Sequence, residues 1–348
     1  MKTGVIGGRG VGKSTVFHAL TGLAPAPGQS ESRNRARPGQ IKVGDARLDF
    51  LEAAYQSKKK VSAELTVLDF APNPKEQKEG AALDASLLPL IRDLDALLMV
   101  VPDFAPVRGD LIATVERLES ELVFADFEQA ERRRERINKE KGASDFEKAA
   151  LEKAIARLEN GAPLRTLAMG AQELNALSHF CFLSQKPAMV VINCETDNVS
   201  DALPSEIESK LRERGLDAMK LPGAFESELW ELAPGGQQEL LAEAGLGAPA
   251  RDRLIAALYR HLGLISFYTA GEPEAHAWSL RRGATALEAA GRIHSDIAKG
   301  FIRAEVVSYA DFERLRSDAK VKEAGKLRLE GRDYTMQEGD IIHIRFKV

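Results

Sequence analysis

Only two cysteines occur in 348 residues, Cys181 and Cys194, with no CxxC pair and no histidine cluster near them. Their scarcity excludes a disulfide scaffold and a zinc ribbon, and suits a reducing cytoplasm. No apolar run reaches the roughly 20 residues that a spanning helix needs, the longest lying around Leu97 to Pro102, so no membrane partner is expected. The chain enters a strand-like segment at once, which predicts a soluble, unprocessed protein. Charge of one sign is also missing: 48 Lys and Arg face 52 Asp and Glu, for a net charge of -4. This balance argues against a protein that coats nucleic acid, specific DNA included, through bulk charge, and leaves room for a local basic face. No internal repeat is present. At this length two or three domains are expected, each able to bury a core.

What the chain does contain begins at residue 3. Thr3 to Ile6 reads as a strand and runs into Gly7-Gly8-Arg9-Gly10-Val11-Gly12-Lys13-Ser14, which fits GxxxxGK[ST] at every fixed position. Glycines let the backbone wrap a phosphate chain so that successive N–H groups and a helix start point at the anion. Lys13 would reach the β- and γ-phosphates, and Ser14 would give its hydroxyl to magnesium. Thr15 follows in the helix, whose apolar side is Val16, Phe17, Ala19 and Leu20 and which ends at Thr21-Gly22. These residues predict a nucleoside triphosphate site. Arg9 is either a cation for that site or a solvated side chain.

Past a proline-punctuated stretch, Ala24 to Gln40, strands are expected at Gln40 to Val43 and Glu64 to Leu68, with a helix from Leu48 to Tyr55 between them. Asp69 then stands at a strand end downstream of the glycine-rich loop, where it either binds magnesium or caps a turn. A helix from Ala81 to Ile91 and a strand from Ala96 to Val101 continue a strand and helix alternation that predicts a mostly parallel sheet. The alternation stops at Asp110. Val115, Leu118, Leu122 and Ala125 share a helical face, and Ser144 with Glu147 has capping-box spacing ahead of Leu151, Ala154, Ile155 and Leu158. An inserted helical hairpin is expected. Its run Glu131 to Lys141, with Arg132, Arg133, Arg134 and Arg136, is either a solvated face or a nucleic-acid contact. Alternation resumes at Ala188 to Asn193 and Ser205 to Arg214, and a helix from Arg251 to Leu262 leads to a smaller α+β section. In it, strands at Ala275 to Leu280, Phe301 to Val307 and Ile341 to Phe346 accompany a helix from Leu287 to Ile297.

The loop Gly7 to Ser14, the hairpin and the segment Thr269-Ala270-Gly271 … Ala277-Trp278 … Arg282-Gly283-Ala284-Thr285 … Gly291-Arg292-Ile293-His294 … Lys299-Gly300-Phe301-Ile302-Arg303 resemble the YchF-type Obg-like ATPases. The tail, Lys322 to Lys326, Leu329 to Tyr334 and Glu338 to His343, resembles them too, so the likeness covers essentially the whole chain. It implies a Ras-like P-loop NTPase domain (1–109 and 183–263), an inserted α-helical hairpin (110–182) and a C-terminal ubiquitin-like β-grasp (TGS) domain (264–348). It also implies a translation-factor-class NTPase that uses ATP or GTP with Mg2+ and is associated with ribosomes and stress responses. With no clear switch threonine and no glutamine to orient water, hydrolysis is expected to be slow, and a cytoplasmic monomer is expected. A degenerate paralogue that binds nucleotide without switching is the alternative.

Against the family, Asp69 matches the aspartate of the DxAG motif, but Pro72 replaces its glycine and has no N–H to give a γ-phosphate. Lys78-Glu79-Gly80 stands where further glycines are expected, and the first switch offers only Ser30 and Ser32. Asn193 keeps the place of the base-reading asparagine, while the expected acid is displaced from Thr196 to Glu195, which argues against strict guanine choice. Pro222-Gly223-Ala224 occupies the base-supporting loop. Arg281, Arg282, Arg292, Lys299 and Arg303, near Trp278 and Phe301, form a candidate RNA face or else solvate a sheet whose core holds the aromatics.

Overall fold

The computed structural model describes residues 1–24, 36–70, 82–139 and 144–347. β1 (Lys2–Ile6) leads through the glycine-rich turn into α1 (Lys13–Thr21), followed by β2 (Ala36–Lys42), α2 (Ala46–Tyr55), β3 (Lys60–Val61) and β4 (Glu64–Phe70). A 3-10 turn at Ala85–Leu87 precedes α3 (Leu88–Arg92) and β5 (Ala96–Asp103). Then come α4 (Leu111–Lys139), α5 (Asp145–Glu159), α6 (Ala171–Leu177), β6 (Ala188–Cys194), α7 (Ser205–Glu213) and β7 (Leu216–Leu221). α8 (Gly223–Leu229), α9 (Pro234–Glu243) and α10 (Ala250–His261) lead to β8 (Leu264–Ala270) and β9 (Ala275–Arg281). The chain closes with α11 (Ala286–Ile293), α12 (Ser295–Lys299), β10 (Phe301–Ser308), α13 (Tyr309–Leu315), α14 (Asp318–Glu323), β11 (Arg328–Glu330) and β12 (Asp340–Phe346). These elements fall into two compact units, residues 1–40 with 66–254 and residues 41–65 with 255–348.

In the first unit the strand order is β2-β4-β1-β5-β6-β7, with β1 parallel to both β4 and β5, and β5, β6 and β7 mutually parallel. β5 and β6 read as near-continuous apolar runs because helices cover both faces of a parallel sheet, and Leu97, Met99, Val190 and Ile192 are fully buried. Val115, Leu118, Leu122 and Ala125, expected to share a helical face, do so, but they pack into this sheet core. The hairpin has its own seam further along α4, where Val123, Ala130 and Ile137 meet Ala150, Leu151, Ala154 and Ile155 of α5. Ser144 caps α5 by accepting from Glu147 N.

Two expected helices differ. The one anticipated from Ala81 starts as an α-helix only at Leu88, because the Asp84 carboxylate accepts from Ser86 N and Oγ and so fixes a tighter 3-10 turn first. In the second unit the single helix expected from Leu287 to Ile297 breaks at His294, whose backbone is extended and whose Nδ1 accepts from Asp296 N, capping α12. That unit holds a mixed sheet in the order β11-β10-β12-β8-β9-β3: β10 runs antiparallel to β11 and β12, β8 antiparallel to β9, and β12 and β8 run parallel, as do β9 and β3. Its core gathers Ile265, Phe267, Ala289, Phe301, Ala304 and Ile342. Thr285 and Glu288 close a reciprocal capping box on α11.

Candidate nucleotide site

β1 and β6 both end at one rim of the parallel sheet, where open α/β sheets place their ligands. Gly12, the residue before α1, has φ +88°, a left-handed conformation that a side chain disfavours. Space forbids one as well: a Cβ on Gly12 would lie 2.1 Å from Asn193 Nδ2. The Asn193 amide is 5 % exposed, donates to Val11 O at 3.1 Å and accepts from Gly223 N at 3.1 Å. It is therefore a strut between the glycine-rich loop and the start of α8. Gly223 is glycine for the same reason, since its Cβ would meet Asn193 Oδ1 at 2.7 Å. Gly12→Ala is expected to cost about 1–3 kcal/mol through backbone strain and loss of the strut, seen as a lower melting temperature together with lost nucleotide binding. An unchanged melting temperature would show that the loop tolerates the methyl group.

Lys13 opens α1 and turns its ammonium back along the loop, donating to Gly7 O at 3.0 Å and Gly8 O at 2.5 Å. Burial pushes its pKa below the ordinary lysine range, while the charges of Asp69 and Asp84 pull it up. Asp69 is buried at the next-to-last position of β4, where its Oδ1 accepts from Phe70 N at 3.0 Å. A cavity of about 300 Å³ opens here, lined by Gly10, Lys13, Ser14, Thr15 and Asp84 among others. Ser14 is exposed.

A second, larger cavity of about 690 Å³ adjoins it, sharing Gly10, Gly12 and Thr15. Its far side is formed by Phe104, Asn193, Glu195, Asp197, Ala224 and Phe225. One cleft thus runs along the loop, narrow and charged at one end, wide and partly aromatic at the other. Glu195 stands at its edge but is engaged: Oε2 pairs with Arg108 at 3.2 Å and Oε1 accepts from Ala105 N at 3.4 Å. Arg108 is held in turn by Asp103 at 3.0 Å.

Of the residues singled out in the sequence, Gly7, Arg9, Gly10, Gly12, Lys13, Ser14, Thr15, Asn193, Glu195 and Ala224 line this cleft, with Arg9 exposed, whereas Gly8, Val11 and Gly223 are not among the residues lining either cavity. Sequence reasoning misses Asp84, Phe104, Arg108 and Asp197. The Asp84-Ala85-Ser86 run is an Asx-turn signature that could have located the first; Phe104 and Arg108 follow β5 in a stretch without periodicity. Ser30, Ser32, Pro72 and Lys78 to Gly80 lie outside the described residues. The five basic candidates, Arg281, Arg282, Arg292, Lys299 and Arg303, are exposed in the second unit, Lys299 paired with Asp296 at 3.2 Å. Phe301 is 3 % exposed in that unit's core, so it cannot stack on a base; Trp278 is half-buried, donating to Thr269 Oγ1 and stacked on His276.

A strand running through the phosphate-binding loop into a helix, with a half-buried lysine and a buried aspartate at the rim of a parallel sheet, defines a P-loop nucleotide-binding protein. Residues 264–347 match the YchF GTPase C-terminal family, described as "Protein of unknown function (DUF933)". The chain is 34 % identical over 360 residues to the ribosome-binding ATPase YchF of Haemophilus ducreyi, covering 100 % of this chain and 99 % of that one. It is 35 % identical over 369 residues to the protein of the same name from Bacillus subtilis, covering both fully. The structure of the Schizosaccharomyces pombe YchF GTPase superposes with a TM-score of 0.85 at 29 % identity, over 99 % of this chain and 97 % of the other. The chain belongs to the YchF family of Obg-like ATPases, and the expected fold class is borne out.

Proposed function

We propose that this protein binds and slowly hydrolyses a nucleoside triphosphate with Mg2+, accepting ATP and GTP, and couples the bound state to a ribosome or another RNA-containing complex. The observation that carries the reading is the cleft itself: a phosphate end lined by Gly10, Gly12 and Lys13 continuous with a base-sized end beside Asn193, Ala224 and Phe225. The names of the relatives, ribosome-binding ATPases, support the partner. We place the protein in the cytoplasm as a monomer. No helix among the described residues is long and apolar enough to cross a membrane.

Lys13 would meet the β- and γ-phosphates, releasing the two carbonyls it now holds, and the loop N–H groups would cradle them. Ser14 and Asp69 would hold a magnesium ion, which suits oxygen donors: Ser14 is exposed and lines the phosphate cavity, and the Asp69 carboxylate is buried close enough to act on Lys13. When bound, that ion neutralises phosphate charge. Because Glu195 is committed to Arg108 and Ala105, it does not present a free acid to guanine, and this supports the broad base choice. Asp84, in the phosphate cavity and beside Lys13, adds a second carboxylate whose charge favours the protonated lysine.

The test is calorimetry with ATP, GTP and their diphosphates in magnesium buffer, alongside hydrolysis with and without ribosomes. Comparable affinities for ATP and GTP and turnover that rises with ribosomes are expected; a strong preference for GTP sinks the base assignment. The second reading, a nucleotide-binding paralogue that does not switch, rests on Pro72. Equal affinity for di- and triphosphate would favour it.

A further inference from the structure

We propose that the C-terminal half of α4 carries a binding site for single-stranded RNA, in which Arg132 and Arg136 grip phosphates and His179 stacks on a base. Gln129, Arg132, Arg133 and Arg136 recur at the spacing of one helix face and, with His179 and Phe180, line a cavity of about 380 Å³. The charges around it are sorted. Arg133 is tied to Glu147 at 2.8 Å and Arg134 to Glu131 at 2.5 Å. Arg132 and Arg136 are exposed and form no ion pair among the described residues, and the nearby Glu128 and Glu135 are exposed without an ion pair there too. Two guanidinium groups one turn apart, unspent on carboxylates, are what a phosphate backbone needs.

The aromatic side distinguishes RNA from a merely acidic partner. Phe180 is buried, stacked on Phe182 at 4.8 Å, and holds the exposed His179 ring at 4.2 Å between centroids. An exposed imidazole tilted against a buried ring presents a face on which a base can stack, which an acidic peptide does not use. Gln129 lines the same cavity and is fixed by donation to Phe180 O at 3.0 Å, which ties the α4 face to the segment that carries His179. The site deepens, and for its partner rests on, the ribosome association proposed above; it shares no residue with the nucleotide cleft.

The experiment is fluorescence anisotropy of the full chain with an end-labelled, mixed-sequence, 12-nucleotide single-stranded RNA at several salt concentrations, with polyglutamate as competitor. Arg132→Ala with Arg136→Ala is expected to weaken binding about tenfold or more and to reduce the salt slope by about 1.4, roughly 0.7 for each phosphate that is no longer neutralised. His179→Ala should weaken it several-fold and His179→Tyr should restore it, while Arg134→Ala, whose partners lie elsewhere, should leave it as in the parent. Unchanged RNA binding by the double arginine variant overturns the proposal. So does polyglutamate binding with the same arginine dependence and no effect of His179→Ala, which would mark an acidic-peptide site. Ribosome co-sedimentation of the same proteins keeps the two readings apart: pelleting by a parent chain that binds no RNA oligonucleotide removes this site alone, and oligonucleotide binding without pelleting removes the ribosome partner alone.

Discussion

Lys13→Ala is expected to abolish measurable hydrolysis and to weaken Mg-triphosphate binding by two orders of magnitude or more. Charge-assisted hydrogen bonds to phosphate contribute about 1.5–3 kcal/mol each, and Lys13 is placed to make two. The fold should survive the change, for a reason that lies in the ammonium itself. Burial holds its pKa below the ordinary range, so the folded chain disfavours the charged form more than the unfolded chain does. That penalty is full below the folded-state pKa and is relieved as pH rises from there to the ordinary lysine pKa. A neutral residue at position 13 removes the penalty together with two hydrogen bonds to carbonyls, so the unliganded variant should melt close to the parent. What should vanish is the rise in melting temperature on adding Mg-ATP. A Lys13→Ala chain that keeps this rise would show that phosphate binding is carried by the backbone alone. The same shift predicts proton uptake on nucleotide binding in alkaline buffer, because phosphates restore the charge on Lys13; calorimetry in buffers of different ionisation heat reads it directly.

The phosphate end of this site is legible in the sequence because a glycine-rich loop is local: consecutive residues make the cradle, and each fixed position has its own steric or electrostatic reason. Asn193 is legible as a site residue but its geometry is not, because the strut depends on Val11 and Gly223, brought together only by the sheet. Glu195 shows the limit more sharply. Its displacement by one position is visible in the chain, whereas its engagement by Arg108 depends on the turn after β5, which has no periodic signal. The parallel sheet was readable from the uniformly apolar β5 and β6, whose composition reports burial on both faces. The half-polar elements were not: β7, with Asp217 and Lys220, and β11, with Arg328 and Glu330, are specified by the strands they pair with. The grouping of residues 41–65 with 255–348 has the same origin, since β3 is two residues long and exists by pairing with β9. At His294 a side chain competed with the helical backbone and won, and period alone does not register such competition.

Glu119→Ala is expected to be the most destabilising single change in the first unit, by about 3–5 kcal/mol, because it leaves a buried guanidinium without its counter-charge. Glu119 on α4 is 2 % exposed and joins Arg165, whose side chain is 6 % exposed, to Arg214 at the end of α7 at 2.9 Å. These three residues fix the base of the hairpin: Arg165 follows α5 and also donates to Lys186 O just ahead of β6, and Arg214 has a second anchor in Glu116 at 2.7 Å. Burial already lowers the Arg165 pKa in spite of its partner, and one of its terminal nitrogens is buried without an acceptor. Removing the carboxylate should therefore cost more than the ion pair itself contributes. The discriminating measurement is a double variant, Glu119→Leu with Arg165→Leu, in urea denaturation. Apolar side chains of similar bulk remove both charges at once, so the double variant should recover most of the stability that Glu119→Ala loses. If it melts as low as the single variant, the network stabilises by packing and hydrogen bonding to Lys186 and Arg214 rather than by pairing two buried charges.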